Sequence, residues 1–218
     1  MIKAFVFDMD GVLLDTESVC DRTWVMAAKD FGLKPEAGMR IIDLCRGTNK
    51  KTTKEIILRE LGSDFDVDLY LQTTSRYFKQ IEAAEGIGLK PYAKECLLWL
   101  KQKGLRLALA SSTRQAVVEN ELKNAGLFDF FEFCICGDMV TNSKPDPEIY
   151  AGAVKKLGLQ PGECVAVEDS HNGLVSAKTA GLVTIMVPDR AAPTEETRKV
   201  TDYIFDSLAE IEKFENFF

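Results

Sequence analysis

One histidine, His171, stands among the 218 residues. A zinc centre built on several imidazoles is therefore excluded, and a Ser-His-Asp triad or phosphohistidine chemistry would have to rest on that single ring. No C-x-x-C pair occurs. The six cysteines, Cys20, Cys45, Cys96, Cys134, Cys136 and Cys164, read as buried free thiols in a reducing compartment. Cations are in deficit: 27 Lys and Arg against 34 Asp and Glu give a net charge of -7. With no basic stripe to release counterions, nucleic acid is not an expected partner. No apolar run approaches a bilayer span, so no membrane association is expected. Lys3 followed at once by an acid-tipped apolar run does not read as a secretory signal, and a cytoplasmic location is expected.

What is present is a 46% hydrophobic fraction, enough for a full core. The chain opens on Phe5-Val6-Phe7-Asp8-Met9-Asp10-Gly11, an apolar strand (about 3–7) that ends in two carboxylates one residue apart. Like charges this close are unfavourable unless something positive sits between them. From Asp15 and Thr16, which read as caps, to about residue 77 the pattern is helical throughout. Strand and helix signals then alternate: helix 93–102, strand 105–110, helix 114–124, strand 133–137, helix 147–157, strand 164–167, helix 174–180, strands 184–187 and 203–205, and a short helix 208–214. Gly104, Gly126 and Gly158 stop helices. This order predicts an α/β fold, a doubly wound parallel sheet with helices on both faces. Residues 1–15 and 81–218 form the expected core domain, and 16–80 a small helical cap domain inserted after the first strand. An insert at that point is expected to hang over the carboxyl edge of the sheet as a lid.

Four strand tips carry polar residues that complement one another. Asp8 and Asp10 end the first. Ser111-Ser112-Thr113 follow the second, where hydroxyls and free N–H groups before a helix suit an anion or act as a simple cap. Lys144-Pro145-Asp146-Pro147 holds a lysine in a stiff turn, placed to neutralise clustered negative charge. Glu168-Asp169-Ser170 ends the fourth, with oxygen donors for a hard divalent cation and with Asp169 or Ser170 as a helix cap. The following Asn172-Gly173 reads as a tight turn. His171 reads as a solvent-facing loop residue, and Asp64, Asp66 and Asp68 as a solvated face. Acid pair, hydroxyl, lysine, acid pair: in that order they add up to a site for a phosphoryl group and Mg²⁺.

With these residues the chain resembles the haloacid dehalogenase superfamily, in particular the members with a helical cap after the first strand, such as beta-phosphoglucomutase-like enzymes and sugar-phosphate phosphatases. The resemblance implies roles that spacing alone does not assign. Asp8 would be the nucleophile that is phosphorylated, and Asp10 the general acid and then base. Mg²⁺ would be held by Asp8, the backbone carbonyl of Asp10 and Asp169, with Glu168 nearby or through water. Ser111 would hold the phosphate, with Ser112 beside it, and Lys144 would balance the charge. Arg46, Lys50 and Lys79 are candidates for the rest of the substrate. Where the mutases carry a histidine after the first motif this chain has Cys20, and where they carry an arginine after a cap glycine it has Lys50. A lysine cannot pair bidentately with a distal phosphate. The expected activity is therefore a Mg²⁺-dependent phosphatase of a small phosphorylated metabolite, with a sugar phosphomutase as the alternative. Asp10 argues against dehalogenase and phosphonate chemistry. The insert argues against a phospho-acceptor signalling domain. A monomer is expected.

Overall fold

The computed structural model describes residues 1–46, 48 and 50–217. It divides into two compact units, Met1–Asp15 with Gly88–Phe218, and Thr16–Ile87.

The first unit is built on a sheet of six parallel strands, β1 Ala4–Phe7, β2 Arg106–Ser111, β3 Cys134–Cys136, β4 Cys164–Glu168, β5 Val183–Met186 and β6 Tyr203–Ile204, in the order β3-β2-β1-β4-β5-β6. Parallel strands are buried on both faces and need no polar alternation. Accordingly β1 and β4 are buried at every residue. Four helices of the unit, α5 Ala93–Gln102, α6 Gln115–Asn124, α7 Glu148–Leu157 and α8 His171–Thr179, follow the alternating pattern. Gly158 ends α7 with φ 67°, a left-handed position at which a side chain would be strained. A fifth, the short α9 Glu195–Lys199, is capped by the Thr194 hydroxyl; five residues carry too little periodicity to be read from sequence. The chain's last element, Leu208–Phe217, is a 3₁₀ helix.

Chain order reverses across β1, which lies between β2 and β4. Phe7 sits level with Leu109 on one side and Val167 on the other. Ligands bind at such a switch point, beyond the carboxyl ends of the strands. The register brings Asp8 and Glu168 to the same level.

The second unit is four helices, α1 Thr16–Asp30, α2 Pro35–Cys45, α3 Lys50–Leu61 and α4 Val67–Glu85. α4 runs five residues past the expected end of the insert and stops at Gly86, φ 73°. Ala27, Ile41, Ile57, Val67 and Tyr70 form its core. The Tyr70 hydroxyl satisfies itself by donating to Trp24 O at 3.1 Å, as a buried phenol must. Thr16 is the first helical residue, not a cap: its Oγ1 is buried and has no hydrogen-bond partner among the described residues. Asp66, expected as part of a solvated face, caps α4 by accepting from Leu69 N at 2.9 Å. Among the described residues no helix is long and apolar enough to cross a membrane.

Candidate active site

The site is built where β1, β2 and β4 end. Asp8 continues β1, its N–H donating to Val167 O at 2.9 Å. Lys144 reaches it from the loop before α7. That loop is stitched to itself: Asp146 accepts from Glu148 N at 3.0 Å, and Glu148 accepts from Thr141 N and Asn142 N. Its Lys144–Pro145 peptide is cis. Lys144 Nζ donates to Asp8 Oδ1 at 2.6 Å, Glu168 Oε1 at 2.6 Å and Ala110 O at 2.9 Å. An ammonium has three donors, and all three are used. The three side chains, Lys144, Asp8 and Glu168, are 7%, 10% and 1% exposed.

Glu168 is more completely engaged than a free ligand would be. Its Oε1 also accepts from the Tyr150 hydroxyl at 2.7 Å, and its Oε2 from Ser170 Oγ at 3.1 Å. Ser170 is the cap of α8, accepting from Gly173 N at 3.1 Å. Asn172-Gly173 is therefore the first turn of α8 rather than a separate tight turn, and the helix begins at His171, which is exposed. Gly173 is needed for space: a Cβ there would sit inside the Glu168 carboxylate.

Asp10 turns to the second strand tip, where Thr113 Oγ1 donates to its Oδ2 at 3.0 Å. Ser111 is the last residue of β2, fully buried, with its Oγ accepting from Thr113 N at 3.1 Å. That leaves the hydroxyl proton for another acceptor. The Ser111–Thr113 run is not the cap of α6, as one reading of the sequence allowed. The cap position is Arg114, and Asp138 Oδ1 takes Gln115 N at 2.9 Å. Ser112 is exposed. Its carbonyl lies so close to Gly137 that a Cβ there would overlap it.

Burial and crowding shift the titration of these groups. Burial raises the Asp8 carboxyl most, Lys144 pulls it back, and Glu168 and Asp10 raise it again, leaving it at about 8. Burial opposes the Lys144 ammonium, but Asp8 and Glu168 outweigh it and hold it charged. Burial, then Glu168, raises the Tyr150 phenol well above its ordinary value, so it remains a donor. Oxygens of Asp8, Glu168 and Asp169 lie within 4.8 Å of one another. These are hard oxygen donors of the kind that fit a divalent cation such as Mg²⁺.

The candidates in the helical unit are placed differently. The Arg46 guanidinium is paired with Glu17, Asp21 and Asp43, so its donors are taken by the protein's own acids. Lys79 is exposed on α4, with Arg76, Gln72 and Gln80 along the same groove. The Lys50 side chain lies outside the described residues. Cys20 is half-buried on α1. All six cysteines are free, and burial pushes Cys96 up to about 12 and Cys45 to about 11. Such thiols are inert as nucleophiles.

The chain is similar to known proteins over most of its length. The family profile described as haloacid dehalogenase-like hydrolase matches residues 2–181. The chain belongs to the haloacid dehalogenase-like hydrolases. Within the family it is similar to hexitol phosphatase B of Escherichia coli K12, 30% identical over 224 residues, covering 96% of this chain and 94% of that protein. It is 32% identical over 187 residues to the phosphorylated carbohydrates phosphatase of Thermotoga maritima, covering 84% of each chain. A solved Thermotoga maritima structure, provisionally named a beta-phosphoglucomutase, superposes with a TM-score of 0.81 at 27% identity, covering 99% of each chain.

Tyr150 and Gly137 were not singled out from the sequence; Thr113 was named only with the hydroxyls of its strand tip, and Gly173 only as part of a turn. Tyr150 had a findable signal, since a tyrosine inside an apolar helix face needs a polar partner. The two glycines had none, because what they make room for comes from other elements.

Proposed function

We propose that this chain, a phosphoric monoester hydrolase by family, is a Mg²⁺-dependent phosphatase of a small phosphorylated sugar, working through a phosphorylated Asp8. The observation that carries the reading is the Asp8–Lys144–Glu168 arrangement beside Asp10 and Ser111, with Asp169 completing a set of oxygen donors. The substrate class rests on the hexitol and carbohydrate phosphatases among the relatives.

Asp8, Asp169 and the carbonyl of Asp10 would hold Mg²⁺, with Glu168 behind them orienting Lys144. Bound there, Mg²⁺ supplies positive charge that keeps Asp8 ionised and offsets charge on the phosphoryl oxygens. In the first step an Asp8 carboxylate oxygen attacks phosphorus in line and the P–O bond to the sugar breaks. Asp10 gives its proton to the departing alkoxide oxygen. In the second step Asp10 takes a proton from water, the water oxygen bonds to phosphorus, and the bond to Asp8 breaks, releasing inorganic phosphate. Ser111 Oγ donates to a phosphoryl oxygen, and Lys144 offsets charge as it builds up. Thr113 holds Asp10 at the second strand tip between steps. The helical unit is read as the part that selects the sugar.

The solved mutase-like neighbour supports the alternative of transfer to a second hydroxyl, against which stand Cys20 and Lys50. The test incubates the protein with a panel of hexose and hexitol phosphates, with MgCl₂ or EDTA, and follows inorganic phosphate and isomerised sugar phosphate together. Phosphate release that needs Mg²⁺ supports the phosphatase; isomer as the main product replaces it with a mutase. Borohydride reduction during turnover should yield homoserine at position 8, and its appearance at another position would remove Asp8 as nucleophile.

A further inference from the structure

A fifth acid stands at the tip of β5, outside the four motifs. The Val187 N–H donates to Glu168 O at 2.8 Å, which keeps this tip against that of β4, and Asp189 lies two residues further on. Its side chain is 6% exposed. Oδ1 accepts from Lys90 Nζ at 2.6 Å. Lys90 is itself anchored, its backbone N–H donating to Leu13 O at 2.9 Å in the segment that follows the acid pair. Oδ2 is buried and has no hydrogen-bond partner among the described residues.

That oxygen shares a neighbour, Gly11, with Asp169 of the acid cluster. A Cβ built on Gly11, φ 75°, would collide with Asp169 Oδ2 and stand 3.4 Å from Asp189 Oδ2. The two carboxylate oxygens thus converge on the same bare stretch of backbone, next to Asp10. A buried acceptor left without a donor is costly, the more so when charged. Lys90 satisfies one oxygen and fixes the carboxylate, which leaves the other on the side of Gly11 that Asp169 also approaches.

We propose that Asp189 is a positioning residue of the cation site. Its Oδ2 accepts a hydrogen bond from a water carried by the cation, and Lys90 locks the carboxylate in that orientation. The inference rests on the cation reading above and assigns it a residue beyond the ligands.

The test is calorimetric titration of the metal-free full chain with MgCl₂, together with thermal melting in EDTA, for the parent protein, Asp189→Asn and Asp169→Asn. In Asp189→Asn the amide oxygen can still accept from Lys90, while an NH₂ replaces the oxygen that faces Asp169. An NH₂ cannot accept from the water but can donate to Asp169. The expected result is a Kd for Mg²⁺ raised about 10- to 100-fold, the range of outer-shell partners, with a melting temperature in EDTA equal to or above the parent's. A merely structural role would lower that melting temperature, and this result would overturn the proposal. An unchanged Kd in Asp189→Asn, with binding abolished in Asp169→Asn, would overturn it while leaving the cation reading intact. Parent-like binding in Asp169→Asn would remove the cation reading and this inference with it.

Discussion

The two ends of the sheet treat charge in opposite ways. At the amino end, Arg106 pairs bidentately with Glu132 and caps Leu157 O, and Lys3 pairs with Glu163. Each cation there has one acid, and the Arg106–Glu132 side chains are 39% and 34% exposed. At the carboxyl end a single lysine serves two acids, two more carboxylates lie close by, and Lys144, Asp8 and Glu168 are almost fully buried. The first arrangement is what a stable surface needs. The second crowds buried carboxylates around one lysine and raises Asp8 to about 8, and the proposed cation and phosphoryl site rests on that crowding. Burial and crowding, more than the number of ion pairs, separate the candidate site from the structural end of the sheet.

The comparison can be broken at its carboxyl end first. Asp8→Asn removes the oxygen proposed to attack phosphorus, and turnover measured by phosphate release is expected to fall by about 10⁴-fold or more, with the circular dichroism spectrum unchanged. Lys144→Met strands Asp8 and Glu168. Chemical denaturation at pH 8 should show a loss of about 3–5 kcal/mol, the cost of breaking a buried pair, and a smaller loss at pH 5, where the acids can take up protons.

A pH series in EDTA tests the crowding itself. The Asp8 pKa is raised by folding from 3.8 to about 8. The folded state therefore holds a proton that the unfolded state has released, so stability falls as pH rises through that window and levels off above it. Saturating Mg²⁺ or Asp8→Asn should flatten the slope; a slope that persists in both would assign it to another group. Tyr150→Phe deletes one of the hydrogen bonds to Glu168 Oε1 while Lys144 keeps the other. A loss of about 0.5–1.5 kcal/mol in urea denaturation is expected. At the amino end, Arg106→Ala should leave the kcat unchanged and cost no more than about 1 kcal/mol, as exposed pairs do. A large loss of kcat there would erase the distinction between the two ends.

Much of the fold was legible because its signals are local. The helix at 93–102 and the ends of α6 and α7 at Gly126 and Gly158 are set by the backbone freedom of glycine and by apolar spacing. The strand at 105–110 is one residue out of register with Arg106–Ser111, because an unbroken apolar run marks a buried strand without marking its ends. The start of α8 was misplaced by three residues, since His171-Asn172-Gly173 has turn composition and is made helical by Ser170 capping it. Arg46 was a reasonable candidate on charge alone. Only packing of α1 against α2 brings Glu17 and Asp21 to it and occupies its donors.

The sequence by itself determined that acids, hydroxyls and a lysine end successive strands, because strand and helix periodicity are properties of neighbours in the chain. Tertiary structure decided which of them meet. Lys144 reaches across 136 residues to Asp8, Tyr150 finds Glu168, and Asp169 and Asp189 both bring a carboxylate oxygen towards Gly11. Those pairings follow from sheet order and register, which are set by burial of whole strand faces and are written in no single stretch of residues.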